Sequence, residues 1–160
     1  MLENCETASR FGQVRHPAGA EYPLNSDDDR SGPRPETSLP RVIVVDDEHL
    51  IADTVAQILN VHGFDAFCVY SGEEALHLAK RFRPDYLLAD VMMPKLNGID
   101  LAIAMETIFP SLKVLLFSGQ TEVTAAMQRQ KASGSRFAVV AKPIHPEKLV
   151  QKLRSLQAQG

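Results

Sequence analysis

Five short apolar runs alternating with five helix-period segments predict an α/β fold, a parallel sheet with helices on both faces. Two observations carry that expectation. The runs are continuous and rich in branched residues, as in strands covered on both sides, and the stretches between them repeat apolar residues at the 3.6 period. Everything that supports it lies within residues 41–156.

The first strand is Arg41-Val42-Ile43-Val44-Val45, where the texture of the chain changes abruptly. A helix follows with Ile51, Val55, Ile58 and Leu59 as its apolar stripe, and Gly63 stands where it would end. Residues 64–69 form a weaker strand candidate with partial alternation, suited to an edge or near-edge position. Ser71 caps the second helix ahead of Glu73 and Glu74, with Ala75, Leu78, Ala79 and Phe82 on one face and Pro84 as the stop. Tyr86-Leu87-Leu88-Ala89 is the third strand. A helix over residues 98–109 turns Leu101, Met105 and Ile108 inward and ends before Pro110. Val114-Leu115-Leu116-Phe117 is the fourth strand, followed by a poorly amphipathic helix over residues 121–131. Residues 137–141 supply the fifth strand, and Pro146 opens a last helix striped by Leu149, Val150, Leu153 and Leu156.

Residues 1–40 read differently. They hold five of the ten prolines, the run Asp27-Asp28-Asp29 and no apolar period, so a disordered tail is expected. Seven acids against four arginines give this segment all of the chain's net charge of −3. Residues 41–160 carry thirteen acids and thirteen bases, and so lack the basic excess that binds a polyanion; direct nucleic-acid binding is not expected. Cys5 and Cys68 make no disulfide framework, and Cys68 lies in an apolar segment where a buried thiol is the simple reading. Neither a membrane span nor a signal-peptide core stands out, which makes the cytoplasm the expected compartment. The five histidines show no metal-ligand spacing and are assigned to surface or helix positions.

In a parallel α/β sheet, ligands bind at the carboxyl ends of the strands near the switch in strand order. Beyond the first strand stand Asp46, Asp47 and Glu48; beyond the third, Asp90; beyond the fourth, Ser118; beyond the fifth, Lys142-Pro143. Clustered carboxylates repel one another, and several hard oxygen donors at one open edge suit Mg²⁺. A carboxylate beside Mg²⁺ and an ammonium is the environment in which aspartate takes up a phosphoryl group. The hydroxyl of Ser118 is suited to hydrogen-bond one phosphoryl oxygen.

Val44-Val45-Asp46-Asp47-Glu48, Asp90-Val91-Met92-Met93-Pro94 with Asn97-Gly98, Phe117-Ser118-Gly119 and Lys142-Pro143 together resemble the receiver domain of two-component response regulators. The resemblance implies a flavodoxin-like five-stranded parallel sheet in order 2-1-3-4-5, with residues 41–156 as the domain. It implies that Asp90 is the phosphoacceptor, served by phosphohistidine on a sensor histidine kinase or phosphotransfer protein. It also implies Mg²⁺ held by Asp47, Asp90 and the backbone carbonyl of Met92, with Asp46 acting through water. Ser118 and Lys142 would sense the phosphoryl group, and the Lys142–Pro143 bond would be cis. The protein would be a stand-alone binding module rather than an enzyme, acting on a downstream protein that the sequence does not name, with no insertion in a membrane.

Three departures from the family pattern stand out. Val139 occupies the position three before the lysine where many receivers carry Tyr or Phe, the fourth helix is weakly amphipathic with a longer loop around Gly134, and no output domain is expected after the fifth helix. Two other readings compete. A Mg²⁺-dependent phosphohydrolase of the haloacid dehalogenase type also uses an Asp nucleophile, but wants Asp-x-Asp after its first strand, where Asp46 and Asp47 are adjacent here. A receiver-like protein that binds partners without phosphorylation is the other.

Overall fold

The computed structural model describes residues 38–119 and 122–159. The expectation for the tail, except for its last three residues, lies outside them, as do Cys5, Gln120 and the helix start at Thr121. Ten elements alternate along the chain: β1 (Arg41–Val45), α1 (His49–Val61), β2 (Asp65–Val69), α2 (Gly72–Phe82), β3 (Tyr86–Asp90), α3 (Gly98–Ile108), β4 (Lys113–Ser118), α4 (Val123–Ser133), β5 (Ala138–Ala141) and α5 (Pro146–Gln157). The five strands are parallel and ordered β2-β1-β3-β4-β5, the flavodoxin-like arrangement.

Alternation along each strand sends side chains to opposite faces. Ile43 and Val45 join Leu87, Ala89, Val114 and Leu116 on the face covered by α2, α3 and the one buried residue of α4, Ala126. Val42 and Val44 join Leu88, Leu115 and Phe117 on the face covered by α1 and α5. Each fully buried Val, Leu or Ile contributes about 1.5–3 kcal/mol relative to exposure. Both faces are filled this way, so the sheet is a rigid platform for the loops at its carboxyl end.

The caps are where the residue types put them. The Ser71 hydroxyl accepts from the Glu74 N–H and opens α2. Asn97 accepts from the N–H groups of Ile99 and Asp100 at the start of α3, and Pro146 occupies the first turn of α5.

Three expectations need correction. The buried face of α1 is Ala52, Ala56 and Leu59, one position round from the expected stripe; Ile51, Val55 and Ile58 are only half-buried. The small alanines let the helix approach the sheet, and the larger side chains spread along its flanks. Ile108 points outward at 52% exposed, because Ile99 and Ala102 already fill the α3 interface with Leu101 and Met105. α4 (Val123–Ser133) runs two residues past its expected end at Lys131, with Gly134 as its left-handed cap at φ 72°. β2 lies at an edge of the sheet, as its partial alternation suggested. β2, at one edge, is buried from Ala66 to Val69, helped by an edge-on contact of Phe67 with Phe82, whereas β5, at the other, is half-buried to exposed beneath the poorly apolar α4.

Cys68 is buried, and its thiol donates to an Asp53 carboxylate oxygen at 3.2 Å. Burial first, and that carboxylate second, push its pKa up to about 12, so it is an inert core thiol. Among the described residues, no helix is long and apolar enough to cross a membrane.

Candidate phosphoacceptor site at the carboxyl edge of the sheet

β1, β3, β4 and β5 end side by side, and their ends bring the expected site residues together. Asp90 is the last residue of β3 and Asp46 the first beyond β1, its neighbour. Asp46, Asp47 and Asp90 each offer a carboxylate oxygen, all within 4.8 Å of one another. Asp46 is buried, Asp90 half-buried and Asp47 exposed, so the cluster opens to solvent on one side.

Lys142, just beyond β5, extends its ammonium between two of the acids. Its Nζ stands 3.3 Å from Asp90 Oδ2 and 3.4 Å from Asp46 Oδ2. The Lys142 N–H donates to the Ser118 carbonyl at 2.8 Å, and the Lys142–Pro143 peptide is cis. Burial alone would make the ammonium easier to deprotonate, but the charges of Asp46 and Asp90 outweigh it and raise the Lys142 pKa. At Asp46, burial dominates and raises the carboxyl pKa. The Glu48 N–H at 2.9 Å and Lys142 oppose that rise, and Asp90 adds to it. The two shifts look inconsistent for an ion pair only until burial is counted, since Asp46 is far more deeply enclosed than Lys142.

The loop after β3 is wound back onto the acid that precedes it. The Met92 N–H donates to Asp90 Oδ1 at 3.3 Å, and the Gly98 N–H to the Val91 carbonyl at 3.1 Å. Gly98 is required here: a Cβ at that position would stand 2.2 Å from the Asp90 carbonyl oxygen. The Met92 side chain is exposed beside the site.

Ser118 ends β4, fully buried, next to Ala141 of β5. Its hydroxyl donates toward the Gly119 carbonyl at 3.0 Å and the Glu122 carboxylate at 3.4 Å. Glu122 is a residue that the sequence reading passed over. Its signal is the four-residue spacing from Ser118 across a glycine, which lets a turn fold the carboxylate back. Val139 is half-buried against the core, while Phe137, two residues earlier, is fully buried there and its carbonyl accepts from the Gln130 side chain.

The donor set fits Mg²⁺. That ion binds oxygen at about 2.0–2.1 Å and keeps several waters, so it takes one or two carboxylates directly and reaches others through water. Three acids spread over 4.8 Å, one of them open to solvent, match that habit better than a dehydrated cage.

The model of the response regulator receiver domain matches residues 42–154. The chain belongs to the response-regulator receiver family. Receivers are the phosphoryl-accepting, regulatory domains of two-component systems, which sets the phosphohydrolase reading aside. Relatives include the probable transcriptional regulatory protein TcrX of Mycobacterium tuberculosis, 34% identical over 115 residues, which are 72% of this chain and 48% of that one. The DNA-binding response regulator MtrA of Mycolicibacterium smegmatis is 28% identical over 75% of this chain and 51% of its own. The chain thus spans about half the length of the curated relatives it matches. Among solved structures, the Vibrio cholerae chemotaxis protein CheY4 superposes with a TM-score of 0.67 at 27% identity, covering 74% of this chain and 99% of that one. A CheY-like receiver protein from Methanospirillum hungatei shares the fold, with a TM-score of 0.68 at 23% identity over 77% of this chain and all of the other.

Proposed function

We propose that residues 41–156 act as a phosphorylation-controlled binding module, with Asp90 as the phosphoacceptor and residues 1–40 as a tail outside the domain. The observation that carries this is the Lys142 ammonium, held between Asp90 and Asp46 in a cluster completed by Asp47. A cation already parked at the acceptor carboxylate is in position to pair with an arriving phosphoryl oxygen.

The donor is phosphohistidine on a sensor histidine kinase or phosphotransfer protein. An Asp90 carboxylate oxygen attacks phosphorus, the P–N bond breaks, and the imidazole leaves with the bonding electron pair. The product is an acyl phosphate on Asp90. Asp47, Asp90 and the Met92 carbonyl would hold Mg²⁺, with Asp46 reaching it through water, and the ion would supply positive charge for the phosphoryl oxygens. Lys142 pairs with one of those oxygens, and Ser118 donates its proton to another. The new group brings roughly −1.5 to −2 charge to the edge of the sheet. Its pull on Ser118 and Lys142 biases the loops that carry them, which lead into α4 and α5.

The output is binding to a downstream protein. Residues 41–160 carry balanced charge, which argues against direct nucleic-acid binding by this domain. The module binds rather than turns over substrates, works in the cytoplasm and inserts in no membrane. Incubation with acetyl phosphate and Mg²⁺, read by intact mass, is expected to add one phosphoryl group to the wild type. Asp90→Ala, or wild type in EDTA, is expected to gain none. An Asp90→Ala protein labelled as well as the wild type would overturn the proposal.

A further inference from the structure

We propose that Glu122 is a positioning residue that restrains the Ser118 hydroxyl and so sets how tightly the site takes up a phosphoryl group. The inference rests on the reading of Asp90 as phosphoacceptor. Ser118 is fully buried, so water does not compete for its single hydroxyl proton. Among the described residues, that hydroxyl donates toward the Gly119 carbonyl at 3.0 Å and Glu122 Oε2 at 3.4 Å. A phosphoryl group on Asp90 would stand at the end of β3, the strand that pairs with β4 through Asp90 and Phe117. For Ser118 to serve it, the hydroxyl must turn away from both acceptors.

The turn holds the carboxylate in place. The Glu122 N–H donates to the Gly119 carbonyl at 3.1 Å, and Glu122 Oε2 lies only 2.6 Å from where a Cβ on Gly119 would stand. Glycine at position 119 therefore leaves the gap into which Glu122 folds. Glu122 is at the N-cap position of α4 yet makes no side-chain cap bond there. Its carboxylate is directed to the serine instead of to the helix. The resting site thus holds an acceptor that competes with the phosphoryl oxygens for the Ser118 proton, as well as a negative charge near an incoming anion.

The test is beryllofluoride binding in saturating Mg²⁺, followed by amide NMR shifts, on wild type, Glu122→Ala, Glu122→Gln, Ser118→Ala and the Ser118→Ala/Glu122→Ala double variant. A net hydrogen bond corresponds to about 2- to 12-fold in an equilibrium constant. Glu122→Ala is therefore expected to tighten binding roughly 3- to 10-fold. Glu122→Gln, which keeps a neutral acceptor, is expected to fall between it and wild type. In the Ser118→Ala background the gain is expected to shrink below about 2-fold, because the restrained hydroxyl is gone. Wild-type binding that is unchanged by Glu122→Ala would overturn this inference alone, as would an equal gain with and without Ser118. Absence of binding by the wild type would overturn the phosphoacceptor reading itself, and this inference with it.

Discussion

Replacing Gly98 by alanine tests how the end of β3 is held. The added Cβ would stand 2.2 Å from the Asp90 carbonyl oxygen, 2.9 Å from its carbonyl carbon and 3.1 Å from Val91 Cα. Carbon contacts are comfortable only near 3.5–4.0 Å, and all three neighbours are backbone, so no side chain can swing aside. The start of α3 and the end of β3 must separate by about 1 Å, against the Val91 N–H bond to the Phe117 carbonyl at 2.8 Å and the Gly98 bond to Val91. Overpacking of this kind costs about 1–3 kcal/mol, and the better helix propensity of alanine returns less than about 1 kcal/mol at a first-turn position. A net loss of about 2 kcal/mol lowers Tm by roughly 6–12 °C in a domain of this size. Displacing Asp90 by about 1 Å is also expected to slow its phosphorylation by 10-fold or more. Gly134→Ala is the control: φ is 72° there but no atom lies within 4 Å, so the cost is conformational only, about 1 kcal/mol. Urea melts and acetyl phosphate labelling of the two variants provide the comparison. Gly98→Ala as stable as Gly134→Ala, with wild-type labelling, would refute the steric reasoning.

Asp46→Asn removes one of three clustered carboxylates, the buried one, and is expected to raise stability in EDTA by about 1 kcal/mol while weakening Mg²⁺ binding; thermal melts with and without Mg²⁺ check both signs. The exposed Met92 side chain beside Asp90 is a poor partner for an attacking water, so Met92→Asn is expected to shorten the life of the phosphorylated form, followed by loss of mass-shifted protein over time. Deleting residues 1–37 is expected to change Tm by less than about 2 °C, because that segment carries no apolar stripe with which to dock, and calorimetry of the shortened chain measures it.

The strand cores and caps were legible because each rests on local chemistry. Continuous branched runs such as Val42–Val45 leave little choice but a covered strand, and Ser71 caps α2 through a bond spanning three residues. The site was legible as a conjunction: Asp46, Asp47, Asp90, Ser118 and Lys142 follow four different strands, and a parallel sheet brings all such positions to one edge. What sequence did not reveal depends on partners distant in the chain. The α1 stripe was misplaced because Ala52 and Ala56 look unremarkable beside Ile51, Val55 and Ile58, although close approach to a sheet favours the smaller side chain. Ile108 matched the helical period but is the last residue of α3, whose buried face is already filled by Ile99, Leu101, Ala102 and Met105. Glu122 was missed because its contact with Ser118 depends on the turn at Gly119 rather than on any period.

The measurement that bears most directly on the central claim is chemical location of the phosphoryl group. After labelling with acetyl phosphate and Mg²⁺, borohydride reduces an aspartyl phosphate to homoserine, and peptide mass spectrometry finds the converted residue. Homoserine at position 90 alone, and none when Mg²⁺ is withheld, is the expected result; conversion at Asp46 or Asp47 with Asp90 intact would contradict the account.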